Sequence, residues 1–377
     1  MIPLCVPNLG GNEAIYLQEC ISSTFVSSVG PFVDRLARLT AEAAAVRYAV
    51  PTSSGTTGLQ LALVAAGVGT GDLVVLPSFT FIASANAISH CGARPWLMDV
   101  DAGSWTLDPV LLRRMLETRA ERRGGALRHK ATGARIAAIM PVYTLGQPAD
   151  MDAITAVAGE FGLPVVADAA AALGARYKGR PVGEMGADLS VFSFNGNKTV
   201  TSGGGGAVLG NDEAQMALVG HLSTTARIGP AYDHDRVGFN FRMTNLQAAV
   251  GVAQLERAET LVAAKRRISA TYDAAFLGLR GVSRFPAPEW AQSACWFSGL
   301  VLSSSVASLC QRLKIQGIEA RPFWKPIHRQ EPYRVAPATD MPVAEAVWDR
   351  VVTLPCSTHL TDAEQSRVID AVREALA

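Results

Sequence analysis

Short apolar runs alternate with longer segments of helical spacing through the first half of the chain, and this alternation restricts the fold more than any other feature. Runs at 73–76, 95–100, 136–142, 164–168 and 189–194 are too short for stable helices, and most of their residues are apolar. That is the signature of strands buried on both faces. Residues 34–46, 59–66, 83–90, 107–116 and 151–161 between or before them repeat apolar residues at helical intervals. Parallel neighbours need such crossovers, so the pattern predicts an α/β fold with a mostly parallel sheet between helices. The segment 203–209 turns and adds one more strand.

Beyond residue 209 the alternation fades. Residues 243–274 read as one long, kinked helical pattern that bridges to a smaller C-terminal α+β domain. There the sequence predicts a strand at 296–303, a helix at 306–313, a polar segment at 321–328 and closing helices at 344–351 and 362–376. At 377 residues the chain exceeds what one core usually serves. The expected division is an arm at 1–30, a large domain at 31–250 and a small domain at 251–377. The arm is a set of short apolar pieces broken by turns such as Val29-Gly30-Pro31. Packing on a partner subunit, closing over a site and a plain structural role all suit it.

Composition narrows the function classes. Hydrophobic residues are 49% of the chain and charged ones 18%, as in a well-packed enzyme or obligate oligomer. Thirty-four Lys and Arg against 33 Asp and Glu leave no basic excess for nucleic acid or an anionic membrane. The basic tract at 117–135 lacks interleaved aromatics and reads as a solvated surface loop. Six scattered cysteines form no C-x-x-C pair and have no histidine at metal spacing, so no metal site and a reduced, cytoplasmic protein are expected. No run approaches the ~18 apolar residues of a membrane span, and neither secretion nor insertion is expected.

Three chemical features then stand in order along the chain. Ser53-Ser54-Gly55-Thr56-Thr57 opens a helix, and such a cluster offers N–H groups, hydroxyls and a positive dipole end to a phosphate. It is also an ordinary N-cap pattern. Asp168 closes a strand at the end where open parallel sheets bind ligands. Lys198 follows the next strand, before a run of four glycines at 203–206. A lysine is nucleophilic only where its surroundings keep part of it neutral, and alone it is as easily a solvated surface residue. Together the three match what pyridoxal 5'-phosphate needs: donors for its phosphate, a carboxylate for its ring nitrogen and a lysine for its aldehyde. Residue chemistry alone leaves racemisation, decarboxylation or a silent cofactor-binding regulator open.

Longer motifs resemble a known family. Ser54-Gly55-Thr56, Gly71-Asp72, Pro77-Ser78-Phe79-Thr80-Phe81, Asp168-Ala169-Ala170, Ser193-Phe194 with Lys198, and Gly238-Phe239-Asn240-Phe241-Arg242-Met243-Thr244-Asn245 resemble the DegT/DnrJ/EryC1/StrS sugar aminotransferases, which have fold type I of the pyridoxal phosphate enzymes. Within that family, Ser-Phe-Asn-Gly-Asn-Lys with its glycine run and Arg321-Pro322-Phe323-Trp324-Lys325-Pro326-Ile327-His328 look most like members acting on UDP-linked 4-keto N-acetylamino sugars. The resemblance implies a large cofactor-binding domain and transfer of an amino group from an amino acid, glutamate first among candidates, to a keto nucleotide sugar. Lys198 becomes the Schiff-base lysine and Asp168 the partner of the pyridine nitrogen. Gly55, Thr56, Thr57 and Ser193 surround the phosphate, Phe81 stacks on one ring face and Ala170 lies against the other. Asn240 reaches the phosphate of a second subunit, so a homodimer with shared sites is implied. Trp324, Lys325 and His328 are candidate substrate contacts. Two departures stand out: Ala171 where many members carry Gln or His, and Tyr143 where many carry His.

Overall fold

The computed structural model describes residues 1–376. Two hydrogen-bonded groups of strands join through the bridges Ile139–Val165 and Val142–Asp168 into one sheet. Across it the order is Tyr48–Thr52, Gly206–Gly210, Leu189–Ser193, Val166–Asp168, Ile136–Ile139, Leu73–Pro77 and Arg94–Met98. Gly206–Gly210 runs antiparallel to both neighbours, and the remaining pairs are parallel. Both faces are covered, which is why the runs are apolar throughout. Val74, Leu76, Val166, Val191 and Val208 serve the core on one side, while Val75, Ile139, Ala167, Phe192 and Leu209 serve the core on the other. The helix Gly55–Ala65 packs on the Leu189–Ser193 and Gly206–Gly210 strands.

Past the sheet, Ser298–Leu302, Val351–Leu354, Val282–Ser283 and Arg321–Pro322 form a second, antiparallel sheet. No helix among the described residues is long and apolar enough to cross a membrane.

Four local expectations are corrected. The arm carries a helix, Glu13–Ser23, seated against the helix Asn245–Leu255. The long helical pattern is two helices, Asn245–Leu255 and Ala258–Ala275. The arm accompanies this break: Gln254 donates to the Asn8 carbonyl at 2.8 Å, and Tyr16 donates to Glu256 at 2.8 Å. The basic tract is a hairpin, Ala120–Arg123 against Ala126–His129, because Gly124 and Gly125 take φ of 61° and 76° and close a two-residue turn. The helix expected at 344–351 ends at Val347, and Val351 begins a central strand of the second sheet.

Candidate active site

The parallel strands deliver their ends to one edge, where a cavity of about 510 Å³ opens between the two sheets. Ser54 caps the helix at its rim: the Ser54 Oγ accepts from the Thr57 N–H and the Thr57 Oγ1 accepts from the Ser54 N–H, both at 3.1 Å. This reciprocal cap uses the Thr57 hydroxyl, so Ser54, Gly55 and Thr56 line the cavity and Thr57 does not. Gly55 is required by close approach. A Cβ there would stand 2.9 Å from the Ser193 Cβ, and Ser193 lines the same corner.

Asp168 lies 6% exposed at the cavity base. Burial pushes its carboxyl up, against the Ser84 hydroxyl, the Ala170 N–H and the Lys198 charge. Ser84 donates to Oδ2 at 2.6 Å and the Ala170 N–H to Oδ1 at 3.1 Å. Such a carboxyl lacks a cation in direct contact, and a protonated pyridine nitrogen is the kind of group that restores one. Lys198 lines the same cavity. Its Nζ stands 3.4 Å from the centroid of the Trp296 ring, and burial draws its pKa down to about 8, against the pull of Asp168. An amine in this range is half neutral near pH 8, as a nucleophilic lysine needs.

Phe81 and Ala170 also line the cavity, Phe81 with its ring 51% exposed. Trp324 lies over the entrance, 5.7 Å from both the Phe81 and Trp296 rings. Two expected residues fall outside it. Lys325 is exposed away from the lining. His328 is held between Ser78, at 2.7 Å from Nδ1, and Glu345, at 2.6 Å from Nε2, which ties its segment to the end of the Leu73–Pro77 strand. Asn240 is exposed and lies outside this chain's cavity. Ala171 presents a methyl group to the cavity, and Tyr143 lines it with a buried hydroxyl that has no partner among the described residues.

Ser84, Trp296 and Arg321 were not singled out from sequence, yet all three stand at or beside the cavity. Arg321 was visible as the first charge of the motif at 321–328. Ser84 and Trp296 carried no local signal.

The residues fit pyridoxal phosphate. A glycine-lined helix start suits its phosphate, a buried carboxylate its ring nitrogen and a lysine of lowered pKa its aldehyde. Fold and site together define a pyridoxal phosphate-dependent aminotransferase. The model of the DegT/DnrJ/EryC1/StrS aminotransferase family matches residues 7–373, and the chain belongs to that family. It is similar to the GDP-perosamine synthase of Caulobacter vibrioides, 38% identical over 100% of this chain and 98% of that protein. The GDP-perosamine synthase of Vibrio cholerae is 34% identical over 99% of this chain and 98% of its own length. Among solved structures, the PLP form of Spr1654 from Streptococcus pneumoniae superposes with a TM-score of 0.88 at 25% identity, covering 100% of this chain and 98% of that one. The protein is thus an aminotransferase of this family, with pyridoxal phosphate as its cofactor.

Proposed function

We propose that the acceptor is a GDP-linked keto sugar, that the product is a GDP-linked amino sugar of the perosamine kind, and that glutamate is the donor. The observation that carries the nucleotide is the full-length similarity to two proteins named GDP-perosamine synthase. The UDP-linked N-acetylamino sugar expected from the motifs at 193–206 and 321–328 is the competing substrate. Arg321 at the cavity mouth offers one fixed cation to the phosphates of either.

Bound pyridoxal phosphate supplies a conjugated electron sink that stabilises negative charge at the carbon bearing the amine. We assign the remaining work to this chain. Lys198 holds the cofactor, and when released takes and returns the proton at that carbon, a role its pKa near 8 suits. Asp168 keeps the ring nitrogen protonated, and Ser84 keeps Asp168 ionised and oriented. Ser54, Gly55, Thr56 and Ser193 hold the phosphate, Phe81 and Ala170 enclose the ring, and Trp324 covers the entrance. Asn240 completes the site of a second copy in a homodimer. We assign residues 1–30 to an arm, 31–250 to the large cofactor-binding domain and 251–377 to the small C-terminal domain, residue 377 lying outside the described residues.

The experiment is a panel of GDP-, UDP- and dTDP-linked keto sugars with glutamate, following 2-oxoglutarate and amino sugar together. Turnover of the GDP-linked sugar in preference to the UDP-linked N-acetyl sugar is expected. The reverse preference overturns the nucleotide assignment and leaves the aminotransferase reaction intact. Borohydride reduction with peptide mapping tests the lysine: cofactor attached elsewhere than Lys198 overturns that role.

A further inference from the structure

Behind the Trp296 ring lies a second cluster that the aminotransferase reaction does not use. Lys265 is 1% exposed and has no carboxylate partner among the described residues. Its Nζ donates to the Trp296 carbonyl at 2.9 Å, the Cys356 carbonyl at 2.7 Å, the Cys5 Sγ at 3.3 Å and the Cys356 Sγ at 3.4 Å. Cys5 comes from the arm and Cys356 follows the Val351–Leu354 strand. The Cys356 N–H donates to the Leu4 carbonyl at 2.8 Å and the Val6 N–H to the Ser357 hydroxyl at 3.0 Å, so the two segments run side by side. Both sulfurs thus lie on one ammonium, 3.3 and 3.4 Å from the Lys265 Nζ. All six cysteines are free thiols in this structure.

We propose that Cys5 and Cys356 form a redox-active thiol pair that closes to an intramolecular disulfide by exchange with a small disulfide of the glutathione class. Cys5 is half-buried and Cys356 fully buried, so the incoming disulfide meets Cys5 first. Cys5 gives its proton to the departing small thiol as the mixed disulfide forms. Cys356 then gives up its proton as its sulfur attacks the Cys5 sulfur, and the second small thiolate expelled takes up that proton. Two protein thiols are oxidised and one small disulfide is reduced to two thiols. Burial pushes the Cys356 thiol up, and the Lys265 ammonium 3.4 Å from its sulfur pulls it down, which favours loss of its proton in this step.

Closure reaches the active site through Trp296. Cys5 donates to the Asn197 carbonyl at 3.4 Å, the same oxygen that accepts the Trp296 indole N–H at 2.8 Å. Cys356 donates to the Trp296 carbonyl at 3.7 Å. A disulfide removes both S–H donors from the carbonyls around the ring that Lys198 faces.

The test is incubation of the full-length, cofactor-loaded protein with oxidised glutathione, followed by thiol counting and peptide mapping. Free thiols are expected to fall from six to four, with the Cys5 and Cys356 peptides joined and separated again by dithiothreitol. In Cys5→Ser the joined peptide disappears and Cys356 pairs with no other cysteine. Six thiols remaining free, a lasting glutathione adduct on Cys5 alone, or a sulfur joined to Lys265 through oxygen would each overturn the proposal.

Discussion

The Ser84 hydroxyl donates to Asp168 Oδ2 at 2.6 Å, deep beneath the cavity where the carboxylate has little water to solvate it. Ser84 sits on the helix Ile82–His90 and Asp168 at the end of a strand, so the contact joins two elements that the sequence places far apart. Ser84 also lies 3.0 Å from the Thr80 hydroxyl, which fixes its rotamer.

Ser84→Ala removes a hydrogen bond to a charged acceptor, an interaction worth about 1.5–3 kcal/mol. Asp168 then shifts further toward its neutral form, and pyridoxal phosphate affinity falls about tenfold or more. Equilibrium titration of the apoprotein with pyridoxal phosphate checks this. Unchanged affinity would show that the Ala170 N–H alone holds the carboxylate.

Lys198 carries a pKa lowered from 10.5 to about 8 by burial. Between those values the unfolded chain binds a proton that the folded apoprotein does not, so this lysine makes stability rise with pH across the window. Below about pH 8 both states are protonated and the contribution is flat. Urea unfolding of wild type and Lys198→Met from pH 7 to 10 measures the difference. Acylation by a small anhydride, mapped by peptide, should inflect near pH 8 at Lys198.

Gly206 faces Gly55 across the phosphate corner. A Cβ on Gly206 would meet the Phe192 carbonyl oxygen at 2.6 Å and the Gly55 Cα at 2.8 Å, both backbone atoms that cannot rotate away. Gly206→Ala should destabilise the apoprotein by about 1–3 kcal/mol in urea unfolding. It should also weaken cofactor binding, because the displaced helix start is the phosphate corner. Wild-type stability with intact binding would contradict the close packing.

Asn240 lies outside its own chain's cavity, so its proposed role requires a second copy. Lys198→Ala and Asn240→Ala, each poorly active alone, should regain activity when unfolded together and refolded as a mixture. The mixed dimer keeps one site with both residues intact. Absence of recovery, with mixed dimers shown by mass, would remove Asn240 from the partner's site.

Legibility followed the range of the forces involved. The strand runs, the capping cluster at Ser54 and the carboxylate-lysine order were readable because burial period, helix-end hydrogen bonding and residue chemistry are local. The hairpin at 120–129 was missed because five charged or polar side chains there, Glu121, Arg122, Arg123, Arg128 and His129, outweighed the Gly124-Gly125 turn. The kink in the helical pattern at 243–274 was expected, but its place before Ala258 was not legible, because its surroundings include Asn8 and Tyr16, more than two hundred residues away in sequence.

The sequence by itself determined an α/β sheet, the position of Lys198 and Asp168 at its ligand-binding edge, and the cofactor class. Only the tertiary structure decided that Ser84 supports Asp168, that Trp296 faces Lys198, that Thr57 caps its helix instead of lining the cavity, and that His328 is bound to Ser78 and Glu345. Each of these depends on which side chains meet when distant segments pack, and on how far burial then shifts a charge. Neither is encoded in the neighbours of a residue along the chain.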